Sequence, residues 1–137
     1  MKMKRQEIEL AVVKCIAESL AIDSKGIHSK SLLIDELGAD SLDFMDIMFH
    51  FEDAFKIKMQ REDLDFLARI DLDREEAVVD EFLTSAAKQQ LCKWMPDLAV
   101  DEALKPVDLS RFLSIESLTI LVEAALLEHN KGSALSA

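Results

Sequence analysis

With 137 residues, half of them hydrophobic, the chain has material for one core and too little for two. Its 27 Asp and Glu against 16 Lys and Arg leave a formal net charge of -11, which argues against nucleic acid as a partner, because a phosphate backbone must be met by excess Lys and Arg. Two cysteines without paired spacing, Cys15 and Cys92, and three scattered histidines, His28, His50 and His129, speak against a disulfide framework and leave a metal site without support.

The first ten residues are charged throughout and carry no signal-type apolar stretch, and no run of 18 apolar residues follows. The expectation is a cytoplasmic protein with reduced thiols and no membrane span. From Lys4 to about Leu20, Ile8, Val12, Ile16 and Leu20 recur every four positions, with Val13 and Cys15 widening the stripe, and predict an amphipathic helix. Ile22 to Asp35 reads as a long loop with a few anchoring side chains. Gly38 then gives the backbone freedom for a turn, and Asp40 or Ser41 can cap a helix that runs to about Phe55.

That second helix has an unusual balance. Its polar residues Asp43, Asp46, His50 and Asp53 form one narrow stripe, while Leu42, Phe44, Met45, Ile47, Met48, Phe49, Phe51 and Phe55 surround it. A helix so loaded must be covered on most sides or must line a cavity. Lys56 to Arg74, with Leu64, Phe66, Leu67 and Ile70, reads as a loop plus a short helix. From Glu75 to Met95 the positions Val78, Val79, Phe82, Leu83, Ala86, Leu91 and Trp94 predict one amphipathic helix ended by Pro96. A break carrying Pro106 follows. Ser110 or Ser114 can cap a last helix bearing Ile115, Leu118, Leu121, Val122 and Leu126, and residues 131–137 read as a disordered tail. Strand-type alternation is absent from the pattern. The expected fold class is therefore all-α, a bundle of four or five helices.

Catalytic arrangements fail on inspection: the serines lack a His and acid set, and three glycines cannot build a phosphate loop. No catalytic residue and no metal ligand is expected. What stands out is Ser41, a serine where a flexible turn enters a helix, flanked by Asp40 and Asp43. Free N–H groups and the helix dipole favour a phosphate there. On position alone, plain N-capping is the commoner role for such a serine.

The run Glu36-Leu37-Gly38-Ala39-Asp40-Ser41-Leu42-Asp43 resembles the attachment motif of acyl carrier proteins, in which the serine of Asp-Ser-Leu receives 4′-phosphopantetheine. Met45, Ile47 and Phe51 fall at that family's apolar positions, Glu52 and Asp53 at its acidic pair and Phe55 at its aromatic position. The likeness covers about residues 4 to 60. Beyond it the chain departs: Lys58-Met59-Gln60-Arg61 lacks the family's proline, and roughly forty-five extra residues precede Phe112-Leu113-Ser114-Ile115-Glu116-Ser117-Leu118, which resembles the family's last-helix start.

The resemblance implies an acyl-carrier-like four-helix bundle with an extra helical insertion before the last helix. It would be a single domain over 1–137, with its core at 4–62 and 111–130 and the insertion at 63–110. It implies a non-enzyme that holds an acyl thioester on 4′-phosphopantetheine at Ser41, with Asp40 and Leu42 beside the attachment point. Asp43, Asp46, Glu52 and Asp53 would face basic patches on a phosphopantetheinyl transferase and on acyl-ACP synthetase, ketosynthase or acyltransferase enzymes. Met45, Phe49, Leu118 and Val122 would line the acyl pocket, although plain core is as good a reading of each. Trp94 on the insertion would cover part of the second helix or that pocket. A monomer is expected. Asp-Ser-Leu-Asp-Phe-Met-Asp-Ile is similar to the specialised carriers of lipid A assembly. The rival readings are a peptidyl or polyketide carrier and a helical interaction module that carries nothing.

Overall fold

The computed structural model describes residues 3–59, 63 and 65–136, with 129–136 described by backbone alone. Gln60, Arg61, Leu64 and the side chain of His129, all named above, lie outside the described residues. The four-residue period of the first segment becomes α1 (Arg5–Leu20), which buries Ile8, Val12, Cys15 and Ile16. Glu7 accepts the Lys4 N–H at 3.2 Å, satisfying one free donor at the helix start. Ala21 ends the helix in the left-handed conformation, φ 56°.

The loop that follows is pinned at its far end. Leu33 N–H donates to the Leu113 carbonyl at 2.8 Å and Ile115 N–H to the Ser31 carbonyl at 3.1 Å, and Leu33 is fully buried. Gly38 sits at φ 75° with open space where a Cβ would be, so backbone conformation rather than crowding calls for glycine. Next comes α2 (Ser41–Phe55). Its buried residues Ile47, Phe51 and Phe55 fall at steps of four, and the helix packs on α1, as does the last helix. The rings of Phe51 and Phe55 meet edge to face at 6.1 Å. The heavy apolar loading of α2 thus divides between an inner stripe and an outer one, where Leu42, Met45 and Phe49 are 75%, 52% and 63% exposed.

The segment expected as one helix from Glu75 to Met95 is instead three pieces, a correction with a local cause. Asp73 caps α3 (Arg74–Ala77), accepting the Glu76 N–H at 2.9 Å. β-branched Val78 and Val79 then form β1 (Val78–Val79), paired antiparallel with β2 (Phe82–Leu83). Asp80 and Glu81 between them both have positive φ, 51° and 76°, which matches the twist of a tight hairpin. Thr84 accepts the Ala87 N–H and starts α4 (Ser85–Leu91). Hydrophobic spacing alone does not register a cap and a turn inside the run. Short 3-10 turns at Phe66–Arg69 and Pro106–Phe112 flank these pieces.

Ser114, not Ser110, caps α5 (Ile115–Ser136), its Oγ accepting the Ser117 N–H at 3.1 Å. The helical backbone continues through 131–136, where the sequence predicts a tail. Arg5 reaches across to Glu123 at 2.6 Å. One hydrophobic cluster runs from Ile8 through the inserted Leu83, Leu91, Met95 and Leu104 to Ala125, so the bundle and the insertion share a core. Two basic residues fasten the insertion at its edges. Arg69 lies 4.9 Å from the Trp94 ring and pairs with Asp63 and Glu128, while Lys30 bridges Asp97 and Glu116. The fold is all-α in class, with a two-stranded ribbon and a single antiparallel bridge between Leu32 and Ser114 as its β content among the described residues.

Candidate functional site

The start of α2 is built by a reciprocal pair of hydrogen bonds. Asp40 Oδ1 accepts the Asp43 N–H at 2.9 Å, and Asp43 Oδ2 accepts the Asp40 N–H at 2.9 Å. Asp40 therefore takes the capping role, which frees Ser41 from it. Ser41 is the first residue of the helix, it is exposed, and among the described residues none hydrogen-bonds its hydroxyl. An Oγ in this position has room to leave the surface as an ester, with the N-terminal end of the helix dipole beneath it. Those features fit a phosphodiester on Oγ. The carboxylates of Asp40 and Asp43 oppose its charge in part, and both are held by backbone donors.

Around this point the surface is strongly acidic: from 35 to 55 there are seven Asp and Glu and no Lys or Arg. The structure gives them different tasks. Asp43 is committed to the cap. Asp46 accepts the Ser19 hydroxyl at 2.6 Å and lies 3.5 Å from His50, which also faces Glu18 at 3.9 Å, so Asp46 helps join α2 to α1. Glu52 accepts the Met59 N–H at 3.2 Å. Asp53 is open, its side chain 90% exposed with Lys56 at 3.7 Å.

Ser41 also stands on the rim of an open groove of about 920 Å³. One wall is the outer stripe of α2, including Met45, Met48 and Phe49; the other is made by Phe66 and Leu67 and by Val107, Leu109 and Leu113. Met45 and Phe49 line this groove. Leu118 and Val122 are 1% and 0% exposed, sit in the core and line no part of the groove. Trp94 also lies away from the lining, against Phe66 and Arg69. The second wall was missed in the sequence, although Pro106 at a helix-type start followed by Val107, Leu109, Phe112 and Leu113 was the available signal.

Of the two thiols, Cys15 is buried and its pKa is pushed up to about 11 by burial, so it is no nucleophile. No group of three or more His, Cys, Asp or Glu among the described residues is placed to hold a metal, and no described helix is long and apolar enough to cross a membrane.

Residues 11–69 match the family of the phosphopantetheine attachment site. An acyl carrier protein of Thermotoga maritima is 38% identical over 66 residues, 48% of this chain and 82% of that protein. An acyl carrier protein of Buchnera aphidicola is 35% identical over 65 residues, 47% of this chain and 83% of that protein. No solved structure matches. The chain belongs to the acyl carrier protein family, as a carrier rather than an enzyme, with covalently attached 4′-phosphopantetheine as its cofactor.

Proposed function

We propose that Ser41 is the attachment point and that the protein delivers an acyl thioester to enzymes of lipid biosynthesis in the cytoplasm. The observation that carries this reading is the uncommitted Ser41 hydroxyl on the first turn of α2, with Asp40 taking the cap in its place. Loading transfers the arm from coenzyme A: a P–O bond forms to Ser41 Oγ, the pyrophosphate link of coenzyme A breaks, adenosine bisphosphate leaves, and the hydroxyl proton passes to the transferase. The arm supplies a terminal thiol that holds the acyl group as a thioester. The chain itself contributes position and charge.

Asp53 and Asp46, with the wider acidic run, present a field that steers basic patches on a phosphopantetheinyl transferase and on an acyl-ACP synthetase, ketosynthase or acyltransferase. Asp43 and Glu52 add to that field while serving backbone donors of their own chain. Asp40 and Leu42 flank the serine, and Leu42, 75% exposed, offers an apolar contact to whatever docks there. The lipid in question is lipid A or another lipopolysaccharide component, a reading supported by the likeness of Asp-Ser-Leu-Asp-Phe-Met-Asp-Ile to carriers of that pathway.

Incubation with coenzyme A and a broad-specificity phosphopantetheinyl transferase, followed by intact mass and peptide mapping, tests the reading. One phosphopantetheine on Ser41 is expected, and none on a folded Ser41→Ala variant. Modification that persists in that variant removes the assignment.

A further inference from the structure

We infer that the outer face of the inserted hairpin, Val79 and Phe82, is a docking surface for an acyl-handling enzyme whose own face carries Lys and Arg around an apolar depression. The inference rests on the carrier reading and adds to it a second point of contact, away from α2. Four observations carry it.

First, the register of the hairpin sorts its side chains. Val79 pairs directly with Phe82 and Val78 with Leu83, and successive residues of a strand point to opposite faces. Leu83 is 5% exposed in the core, while Val79 and Phe82 share the other face at 53% and 40%. A cross-strand apolar pair is thus turned outward, where an uncovered ribbon face ordinarily carries polar side chains. Second, the turn that presents this pair is made of residues that resist it. Asp80 and Glu81 both hold left-handed backbone, which is unfavourable for residues with a Cβ and which hairpins commonly fill with Asn-Gly or Asp-Gly. Both turn positions keep a carboxylate all the same. Third, the pair is held in place before any partner arrives. Lys105 Nζ lies 5.5 Å from the centre of the Phe82 ring and 3.9 Å from Glu81, and the Leu83 N–H donates to the Leu104 carbonyl at 2.7 Å. A side chain ordered beforehand gives up less freedom on binding.

Fourth, charge and continuity name the partner. Residues 71 to 81 hold six acids, all exposed, and one base, Arg74. An acidic rim around an apolar pair is the complement of Lys and Arg around an apolar depression. This surface is joined to the attachment point. Lys105 leads into Pro106 and Val107, which line the same groove as Ser41, and Lys105 and Val107 lie at most about 7 Å apart along the chain. Leu42 beside the serine and Val107 are 75% and 77% exposed, so open apolar side chains continue from α2 through Val107 to Phe82 and Val79. A standard interface covers about 800 Å² on each partner, a disc roughly 32 Å across, and an enzyme seated over the start of α2 has the span to cover the hairpin as well. The hairpin and its acids lie outside the family match at 11–69. An enzyme that reads them is therefore dedicated to this carrier, whereas a transferase that modifies the family at large needs only the α2 face.

The test uses the full-length protein, acylated on its arm, with the purified acyl-ACP synthetase, ketosynthases and acyltransferases of the source organism. In a variant carrying Val79→Ser and Phe82→Ser, with its fold checked by circular dichroism, the KM of at least one of these enzymes should rise about tenfold at unchanged kcat. A second variant, Asp80→Asn with Glu81→Gly, suits the turn better and removes two charges, so it keeps the test open if the first does not fold. It should raise the same KM at low salt and leave it unchanged at high salt. Loading of Ser41 by a broad-specificity phosphopantetheinyl transferase should proceed at the wild-type rate in both. An unchanged KM for every enzyme that accepts the wild-type protein overturns the inference and leaves the carrier reading standing. A wild-type dimer in sedimentation that the first variant turns into a monomer assigns the face to a second copy and overturns it too. Failure of the arm to attach at Ser41 overturns the carrier reading instead.

Discussion

Replace Phe51 and Phe49 by alanine, one at a time, in the unmodified protein. The two side chains lie two positions apart on α2 and have opposite surroundings: Phe51 is 1% exposed against Ile47 and Phe55, whereas Phe49 is 63% exposed on the groove. Removing a buried Phe forfeits its transfer energy and leaves a cavity, about 3–5 kcal/mol. Removing one that has surrendered only about a third of its surface to the protein costs below about 1 kcal/mol. Against a total stability of about 5–15 kcal/mol the first loss is large and the second small. Urea unfolding followed by far-UV circular dichroism reads both, and by heat the Phe51→Ala midpoint should fall on the order of 10–20 °C. Equal losses for the two variants would refute the division of α2 into an inner and an outer apolar stripe, and with it the open groove.

Four further outcomes follow from the geometry. Asp40→Ala, which removes the cap at the start of α2, should cost about 1 kcal/mol in urea unfolding. Cys92, partly exposed, should react with iodoacetamide at pH 8 well before Cys15. Because burial pushes the folded-state pKa of Cys15 up from the ordinary thiol value to about 11, its protonated form is favoured by folding. That contribution is fully present below pH 9 and is lost as pH rises through 11, and Cys15→Ala should flatten the alkaline fall in stability. Neutralising Asp46 and Asp53 together as Asn should slow arm loading, more at low salt than at high; equal slowing at both would remove the steering argument.

The bundle was legible in the sequence wherever a single period held over three turns or more. The four-step stripe of α1 and the Gly38, Asp40 and Ser41 entry to α2 came out with nearly the right bounds, because spacing, turn and cap all pointed one way. The stretch from Glu75 to Met95 did not, since its apolar spacing suits a helix while Asp73, Thr84 and the positive-φ pair Asp80 and Glu81 divide it. At the site, Met45 and Phe49 came from the resemblance, and phase within one helix does not reveal which neighbour faces it. Leu118 and Val122, given to the pocket by the resemblance with plain core as an equal reading, are buried in the core. The wall at Val107, Leu109 and Leu113 arrives from a region that sequence reads as a break, and only three-dimensional closure brings it opposite Ser41.

The pinning of Leu33 to Leu113 and of Ser31 to Ile115 has a consequence for chain entropy. Between the end of α2 and the start of α5 the chain makes a loop of about 60 residues, and lengthening a loop from about 10 to about 60 residues costs only about 1.6 kcal/mol, at ~0.6 kcal/mol per doubling. A carrier bundle can therefore host a large added segment at small thermodynamic expense, as long as the two strands of chain meeting at 31–33 and 113–115 stay zipped. That seam is the clasp of a closed ring, holding the start of α5 against the loop ahead of α2.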